Sequence, residues 1–532
     1  MPQAHSQGAA IATSVVTIDS GRLAGTAGAV RSFKGIPFAA APAGDLRWRP
    51  PQPVAPWSGI RSATAFGLDC PQAPNGASRA PGQGEDCLHL SVWTPAQSDS
   101  ERLPVMVWLH GGGFTAGTSA DVRSHGEKLA RRGVVVVAAN YRVGLFGFLA
   151  HPDLSRESPH GVSGNYGLLD QLAALQWIQR NVVAFGGDPR RVTAFGVSAG
   201  SASLALLLTS PLVPGLLHQV ILESPGAFRP LAGLGEAEAL GSSLAADIRS
   251  LRQLSAGDLF ARTARAVPAM RGLTTPRVLR PICDGWVIPR DERPAYIGGH
   301  FHAVPMIIGN NSDEGSLLTA AWTVRTRADY RTLMAETFGD AADEALSLYP
   351  AASDSDVPGR VAEVFADTQF NFGVRGVAQA AIARQPRTWR YVFTRRRAGG
   401  DVAPNHGDEV AYVFGNIDAS RGNTPLPFDA TDESLSDAMM DAWVRFATGG
   451  NPNGGTLPTW PAYDPATDPY LEFGDTIGAA RSWRAPSMAF IERFYDNRGV
   501  TWAGARSRPD ARTAAAWLTP PGNDGYRRRT DR

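Results

Sequence analysis

The sequence predicts an α/β protein whose central sheet is mostly parallel and covered by helices on both faces. Two observations carry that expectation. Apolar runs of β type alternate with longer helical patterns along the chain, the signature of βα units. The composition, 43 % hydrophobic against 19 % charged in 532 residues, supplies a large core and too little charge for disorder. Strands are expected at 105–109, 134–139, 192–195, 219–223, 304–308 and 390–393. Between the second and third, Leu168, Leu169, Leu172, Leu175, Trp177 and Ile178 recur at helical spacing, and Gly186-Gly187-Asp188-Pro189 ends that helix. The stretches 231–280 and 320–384 are rich in Ala, Leu and Arg and fall between strands. They are read as helical insertions roofing a substrate pocket within one domain spanning 13–503. The ends, 1–12 and 504–532, are polar or small and are expected to be disordered.

Composition excludes several classes of function. Lys+Arg 51 against Asp+Glu 50 leaves a net charge of +1, so no global field draws the chain to nucleic acid. No apolar run approaches the ~20 residues that span a bilayer. The N-terminal segment lacks a basic start and an apolar core, so a cytoplasmic location is expected, with secretion the alternative if a leader is missing from this chain. The three cysteines have no zinc-like spacing, and neither metal nor cofactor is expected.

The first chemical signal is Gly196-Val197-Ser198-Ala199-Gly200, a GxSxG pentapeptide between a strand and the small, apolar helical stretch 199–208. Glycines suit a serine nucleophile on a strained strand-to-helix turn, where side chains two positions away collide. With 57 glycines in the chain the pentapeptide alone means little, so the context carries the weight. The second signal is His110-Gly111-Gly112-Gly113-Phe114, directly after strand 105–109. Its backbone N–H groups, with that of Ala199, can point at a developing oxyanion. A base and an acid must then come from later strand ends. Strand 304–308 leads to Asp313 and Glu314, and strand 390–393 to a loop holding His406. The order Ser198, Glu314, His406 is that of a nucleophile-elbow triad, with Asp313 the competing acid. His110 comes too early for the base and is read as a packing residue. His151, His160, His218, His300 and His302 are equally compatible with the surface.

These residues resemble a family, the type-B carboxylesterases, which include bacterial para-nitrobenzyl esterases and the cholinesterases. The resemblance covers about 15 to 495. It rests also on Phe33-Lys34-Gly35-Ile36-Pro37-Phe38, Leu46-Arg47-Trp48-Arg49-Pro50-Pro51, Glu85-Asp86-Cys87-Leu88, Phe185-Gly186-Gly187-Asp188-Pro189, Asp313-Glu314-Gly315 and His406-Gly407-Asp408-Glu409. It implies an α/β-hydrolase fold and hydrolysis of carboxylic esters through an acyl-enzyme. Ser198 would be nucleophile, Glu314 acid and His406 base, with an oxyanion hole of Gly112, Gly113 and Ala199. The stretch from His151 to Leu168, with Ser224-Pro225-Gly226, is also similar to bacterial fumonisin esterases, which cut tricarballylate esters. Phe114, Val197, Arg229 and Leu231 are expected to face the substrate, Arg229 either as a group beside the acyl chain or as a merely exposed arginine. Cys70 and Cys87 match the family's first disulfide loop, here without the tryptophan of cholinesterases. Val197 departs from the glutamate that most active relatives carry. The expected partner is a small-molecule ester, bound by a monomer or a dimer. An acyltransferase or cyclase using the same triad, and a non-catalytic binding domain, are the alternatives.

Overall fold

Strands form where β-branched and aromatic residues run together. The computed structural model describes residues 13–74, 76–266, 273, 277–397, 403–419 and 427–497 and arranges these strands in one 13-stranded sheet. In chain order they are β1 (Thr13–Ile18), β2 (Gly21–Thr26), β3 (Arg31–Pro37), β4 (Ile60–Ser62), β5 (His89–Thr94), β6 (Leu103–Leu109) and β7 (Val135–Ala139). They continue with β8 (Gly187–Val197), β9 (Gln219–Glu223), β10 (Met306–Asn311), β11 (Thr388–Phe393), β12 (Pro469–Phe473) and β13 (Ile477–Arg481). The spatial order is β1-β2-β3-β5-β7-β6-β8-β9-β10-β11-β12-β13, with β4 beside β2. The block from β7 to β12 is parallel, and antiparallel pairs flank it on both sides.

The parallel block is buried on two faces, and its side chains divide by alternation. On one face Val105, Val107, Leu109, Val135 and Val137 pack with Leu168, Leu172, Leu175 and Ile178 of helix α1 (Tyr166–Asn181) and with helix α2 (Ala199–Leu208). On the other, Met106, Trp108, Val136, Phe195 and Val197 pack with Val410 and Val413 of helix α3 (Glu409–Val413) and with Trp443 and Phe446 of helix α4 (Ala430–Gly449). Each of these fully buried side chains contributes roughly 1.5–3 kcal/mol.

Several expected boundaries shift. The helix of 168–178 ends at Asn181, a short 3-10 turn follows, and Gly186 with φ 80° reverses the chain. The strand expected at 304–308 starts at Met306 and runs on to Asn311, because Gly309, Asn310 and Asn311 keep pairing with β11. Helices Leu234–Leu244, Ile248–Arg252 and Ala256–Ala266 fall in the first expected insertion. Arg327–Phe338, Ala342–Leu348, Val357–Ala366 and Phe372–Ile382 fall in the second. The expected end segments 1–12 and 504–532 lie outside the described residues. Among those described, no helix is long and apolar enough to cross a membrane. Cys70 and Cys87 are joined in a disulfide, and Cys283 is a free thiol.

Candidate active site

Strand β8 ends at Val197 and helix α2 starts at Ala199, so Ser198 occupies the turn between them, with φ 55° and ψ −119°. Few residues with a side chain adopt that backbone, and its neighbours hold it in place. The Ser198 N–H donates to the Glu223 carbonyl at 2.9 Å, and the Ser198 carbonyl accepts from Ala202 at 2.7 Å. The flanking glycines follow from the closeness of β6. A Cβ on Gly196 would lie 2.5 Å from the Leu109 carbonyl oxygen, and one on Gly200 2.0 Å from it.

Glu314 and His406 arrive from the ends of two later strands. Glu314 is fully buried; its Oε1 accepts from the Ser224 hydroxyl at 2.5 Å and from the Asn311 N–H at 2.6 Å. Its Oε2 accepts from His406 Nδ1, which fixes the tautomer and leaves Nε2 as the free nitrogen. Nε2 has no hydrogen-bond partner among the described residues. The histidine loop is tied to the glutamate loop: Asp313 pairs with Asn405, and Asn311 Nδ2 donates to the Asn405 carbonyl at 2.6 Å. Phe370 lies 4.6 Å from the imidazole, ring centre to ring centre. Asp313 is engaged elsewhere, accepting from the N–H groups of Gly315 at 3.1 Å and Ser316 at 2.9 Å. Ser198 and His406 line one cleft of about 1780 Å³.

Gly112, Gly113 and Ala199 line the same cleft, and among the described residues their N–H groups donate to no other residue. Gly112 has φ 116°, and a Cβ there would lie 1.9 Å from the Ala116 carbonyl, so only glycine fits. His110 is a packing residue: it stacks on Tyr141 at 4.2 Å, and burial pushes its pKa down to about 4. His151 corrects the surface reading. It is buried before the helix Pro152–Glu157, its Nδ1 accepting from the Asp153 N–H at 3.1 Å.

Phe114, Val197, Arg229 and Leu231 all line the cleft. Arg229 is half-buried rather than exposed. Its Nε and Nη2 donate to the Gln369 carbonyl at 3.1 and 2.9 Å, and its guanidinium lies 4.8 Å from the Phe370 ring. Gln369 and Phe370 belong to a π-helical turn, Asp367–Asn371, a form that recurs at functional sites. Arg277 and Arg280, which no sequence signal singled out, line the same cleft. Arg277 donates to the Gln369 side chain at 3.2 Å, and Arg280 Nη2 stands 3.3 Å from where a Cβ of Gly113 would be. Among the described residues none of the three pairs with a carboxylate at hydrogen-bond distance. Burial first, then neighbouring guanidinium charge, disfavours the cations of Arg229 and Arg280, bringing Arg280 down to about 9. Burial does the same to Arg277. Glu292, buried on this side of the cleft, accepts from the Phe228 N–H at 2.7 Å; burial pushes its carboxyl up to about 8. Its pKa leaves it largely protonated at neutral pH.

A parallel sheet with a strained serine at one strand end, a histidine–carboxylate pair behind it and bare N–H groups opposite defines an α/β-hydrolase. A family model described as the carboxylesterase family matches residues 12–491, and the chain belongs to that family. It is 46 % identical over 466 residues to the fumonisin B1 esterase of Sphingopyxis macrogoltabida, covering 86 % of each chain. It is 34 % identical over 476 residues to the para-nitrobenzyl esterase of Bacillus subtilis (strain 168), covering 85 % of this chain and 93 % of that one. A solved structure of PNB esterase superposes with a TM-score of 0.80 at 30 % identity, covering 90 % of this chain and 99 % of the other. The chain is a carboxylic ester hydrolase.

Proposed function

We propose that Ser198, His406 and Glu314 are the nucleophile, base and orienting acid, and that Gly112, Gly113 and Ala199 form the oxyanion hole. One observation carries this reading: His406 is bound at Nδ1 by Glu314 and has Nε2 free in the cleft that Ser198 lines. Nε2 takes the Ser198 Oγ proton as Oγ attacks the ester carbonyl, and the oxyanion accepts from the three N–H groups. The proton passes to the leaving alkoxide, and water, deprotonated by His406, attacks the acyl-enzyme and releases the acid. A fluorophosphonate tests the assignment: it should label Ser198 stoichiometrically and abolish turnover, and labelling elsewhere overturns it.

The substrate class follows from Arg229, Arg277 and Arg280, whose uncompensated charge on the cleft wall favours esters bearing carboxylates on the acyl side. Val197 and a Cys70–Cys87 loop without tryptophan lack the carboxylate and the aromatic ring expected to hold a quaternary ammonium. The identity to an esterase of fumonisin B1 makes that compound the first natural ester to assay. The test compares kcat/KM for tricarballylate esters, neutral isosteres and acylcholines, with Arg229→Ala alongside. An acylcholine preference, or an unchanged anionic-to-neutral ratio in Arg229→Ala, defeats the reading. On this reading residues 13–503 act as one catalytic domain, with 231–280 contributing Leu231, Arg277 and Arg280, and 320–384 contributing Trp322, Phe365 and Phe370, to the cleft wall. The Cys70–Cys87 bond supports the secreted alternative over a cytoplasmic location, since disulfides persist in oxidising compartments.

A further inference from the structure

The Cys70–Cys87 loop meets the glycine-rich turn after β6 through Gln72, a buried side chain. Its amide forms two bonds with the backbone of Gly117: Nε2 donates to the carbonyl at 2.7 Å, and Oε1 accepts from the N–H at 2.7 Å. Among the described residues no other group bonds that N–H or that carbonyl. Gln72 is itself fixed within its own loop, where Nε2 also donates to the Cys70 carbonyl at 3.1 Å and the backbone N–H donates to Gln83 Oε1 at 3.1 Å. Gly117 lies against the start of the turn. With φ 129°, a Cβ there would stand 2.1 Å from His110 Nδ1 and 2.2 Å from the Gly111 carbonyl oxygen, and a Cβ on Gly111 would stand 3.1 Å from that of Ser198. Between these ends the Gly112 carbonyl accepts from the N–H groups of Thr115 and Ala116, both at 3.1 Å. The turn is therefore closed on itself and held from outside by Gln72 at Gly117 and by the Gly144 N–H at the Phe114 carbonyl.

We propose that Gln72 is a positioning residue of the oxyanion hole: it pins Gly117 and thereby fixes the aim of the Gly112 and Gly113 N–H groups. The inference rests on the reading of Gly112, Gly113 and Ala199 as that hole. Donors stabilise a developing oxyanion fully only when they already point at it, because reorganisation during the reaction cancels part of the gain. Gly112 and Gly113 have φ of 116° and 63°. Glycine reaches such conformations without steric cost, and for the same reason it leaves them readily. Three glycines in succession therefore need a hold from outside the turn. An amide bonded to both the N–H and the carbonyl of Gly117 fixes orientation as well as place, as one strand does for its neighbour. Ala199, the third donor, stands at the start of α2 and touches none of these contacts, so losing Gln72 weakens the hole without emptying it.

The experiment measures kcat and KM on the full chain, with p-nitrophenyl acetate as probe, for two variants. Gln72→Met keeps the length and removes both bonds; Gln72→Glu keeps the acceptor and sets a second oxygen against the Gly117 carbonyl. Rates are referred to the sites titrated by a fluorophosphonate, so only folded molecules count. In both variants kcat should fall roughly tenfold to a hundredfold, the range for donors misplaced rather than removed. KM should stay within about threefold, because acylation and deacylation each pass through an oxyanion and slow together. The inhibitor 1,1,1-trifluorohexan-2-one gives a second readout: Ser198 Oγ adds to its carbonyl carbon, His406 takes the hydroxyl proton, and the carbonyl oxygen becomes an oxyanion in the hole. Its inhibition constant should rise by the factor by which kcat falls, within about threefold. An unchanged kcat, a loss confined to KM, or a lower kcat with the parent's affinity for the ketone overturns the proposal. The crystal structure of the parent's ketone adduct separates the two readings. An oxyanion seated away from Gly112 and Gly113 defeats the hole itself, whereas one seated on them, with fully active Gln72 variants, defeats the role of Gln72 alone.

Discussion

At the residue scale, the hydroxyl of Ser198 is a weak nucleophile until a base takes its proton, so its activity depends on its partners. Ser198→Ala and His406→Ala should each abolish turnover, and the double variant should be little worse than either, because the residues act as a unit. Residual activity above a few per cent in Ser198→Ala would move the nucleophile elsewhere. Glu314→Gln should lose roughly a thousandfold or more, since an amide does not stabilise an imidazolium. Asp313→Asn, whose carboxylate caps the turn after Glu314, should keep activity within about tenfold. Activity should fall on the acid side as one group titrates, because a protonated His406 accepts nothing; a profile flat down to about pH 4.5 contradicts a histidine base. EDTA should have no effect. The proposed set of Ser198, Glu314 and His406 was legible because a motif and a chain order point to it from two sides. The place of Glu223 was not: it reads as the polar end of an apolar strand, and only the register sets it beside Val197. Arg277 and Arg280 sit in an Ala/Leu/Arg-rich insertion where one arginine looks like another.

At the scale of elements, the central strands β6 to β11 were legible because strands covered on both faces are largely apolar runs, as Leu103–Leu109 and Val135–Ala139 are. The flanking strands were not. Ile60–Ser62 is exposed throughout and Ile477–Arg481 is partly exposed, so neither carries an apolar run to find. Gly309-Asn310-Asn311 read as a loop by composition, yet a central strand accommodates them because its neighbours satisfy the backbone. The Cys70–Cys87 bond closes a sequence separation of 17 near the glycine-rich loop: Gln72 donates to the Gly117 carbonyl at 2.7 Å and accepts from the Gly117 N–H at 2.7 Å. Cys70→Ser should therefore lower stability by roughly 3 kcal/mol, read by denaturant unfolding under oxidising conditions. With reductant present, parent and variant should coincide.

For the whole molecule, buried carboxyls set how stability changes with pH. Glu292 and Glu409 have folded pKa values of about 8 against an ordinary 4.5. Below 4.5 they are neutral in both states, and the folded state carries no penalty. As pH rises toward 8 the unfolded chain releases these protons and the folded chain keeps them, so stability falls until the folded values are passed. His110 and His125, held down to about 4 by burial, work in the opposite direction below about 6.5, where the unfolded chain takes up protons that they refuse. Between about 6.5 and 8 the carboxyls act alone. The melting temperature should decline across that window, and Glu292→Gln should decline less; a rise would refute the assignment.

The three arginines of the cleft also bear on how a reaction mixture ages. The chain as a whole is almost neutral, so their attraction for anions is local and short-ranged. With the ester carbonyl held at the proposed oxyanion hole of Gly112 and Gly113, hydrolysis would form one more carboxylate close to Arg280. The released acid then carries more negative charge than the ester it came from and binds the same wall. Progress curves should bend long before the ester is exhausted, with the free polyacid acting as a competitive product inhibitor. Salt should straighten them, and Arg280→Ala should escape the slowing.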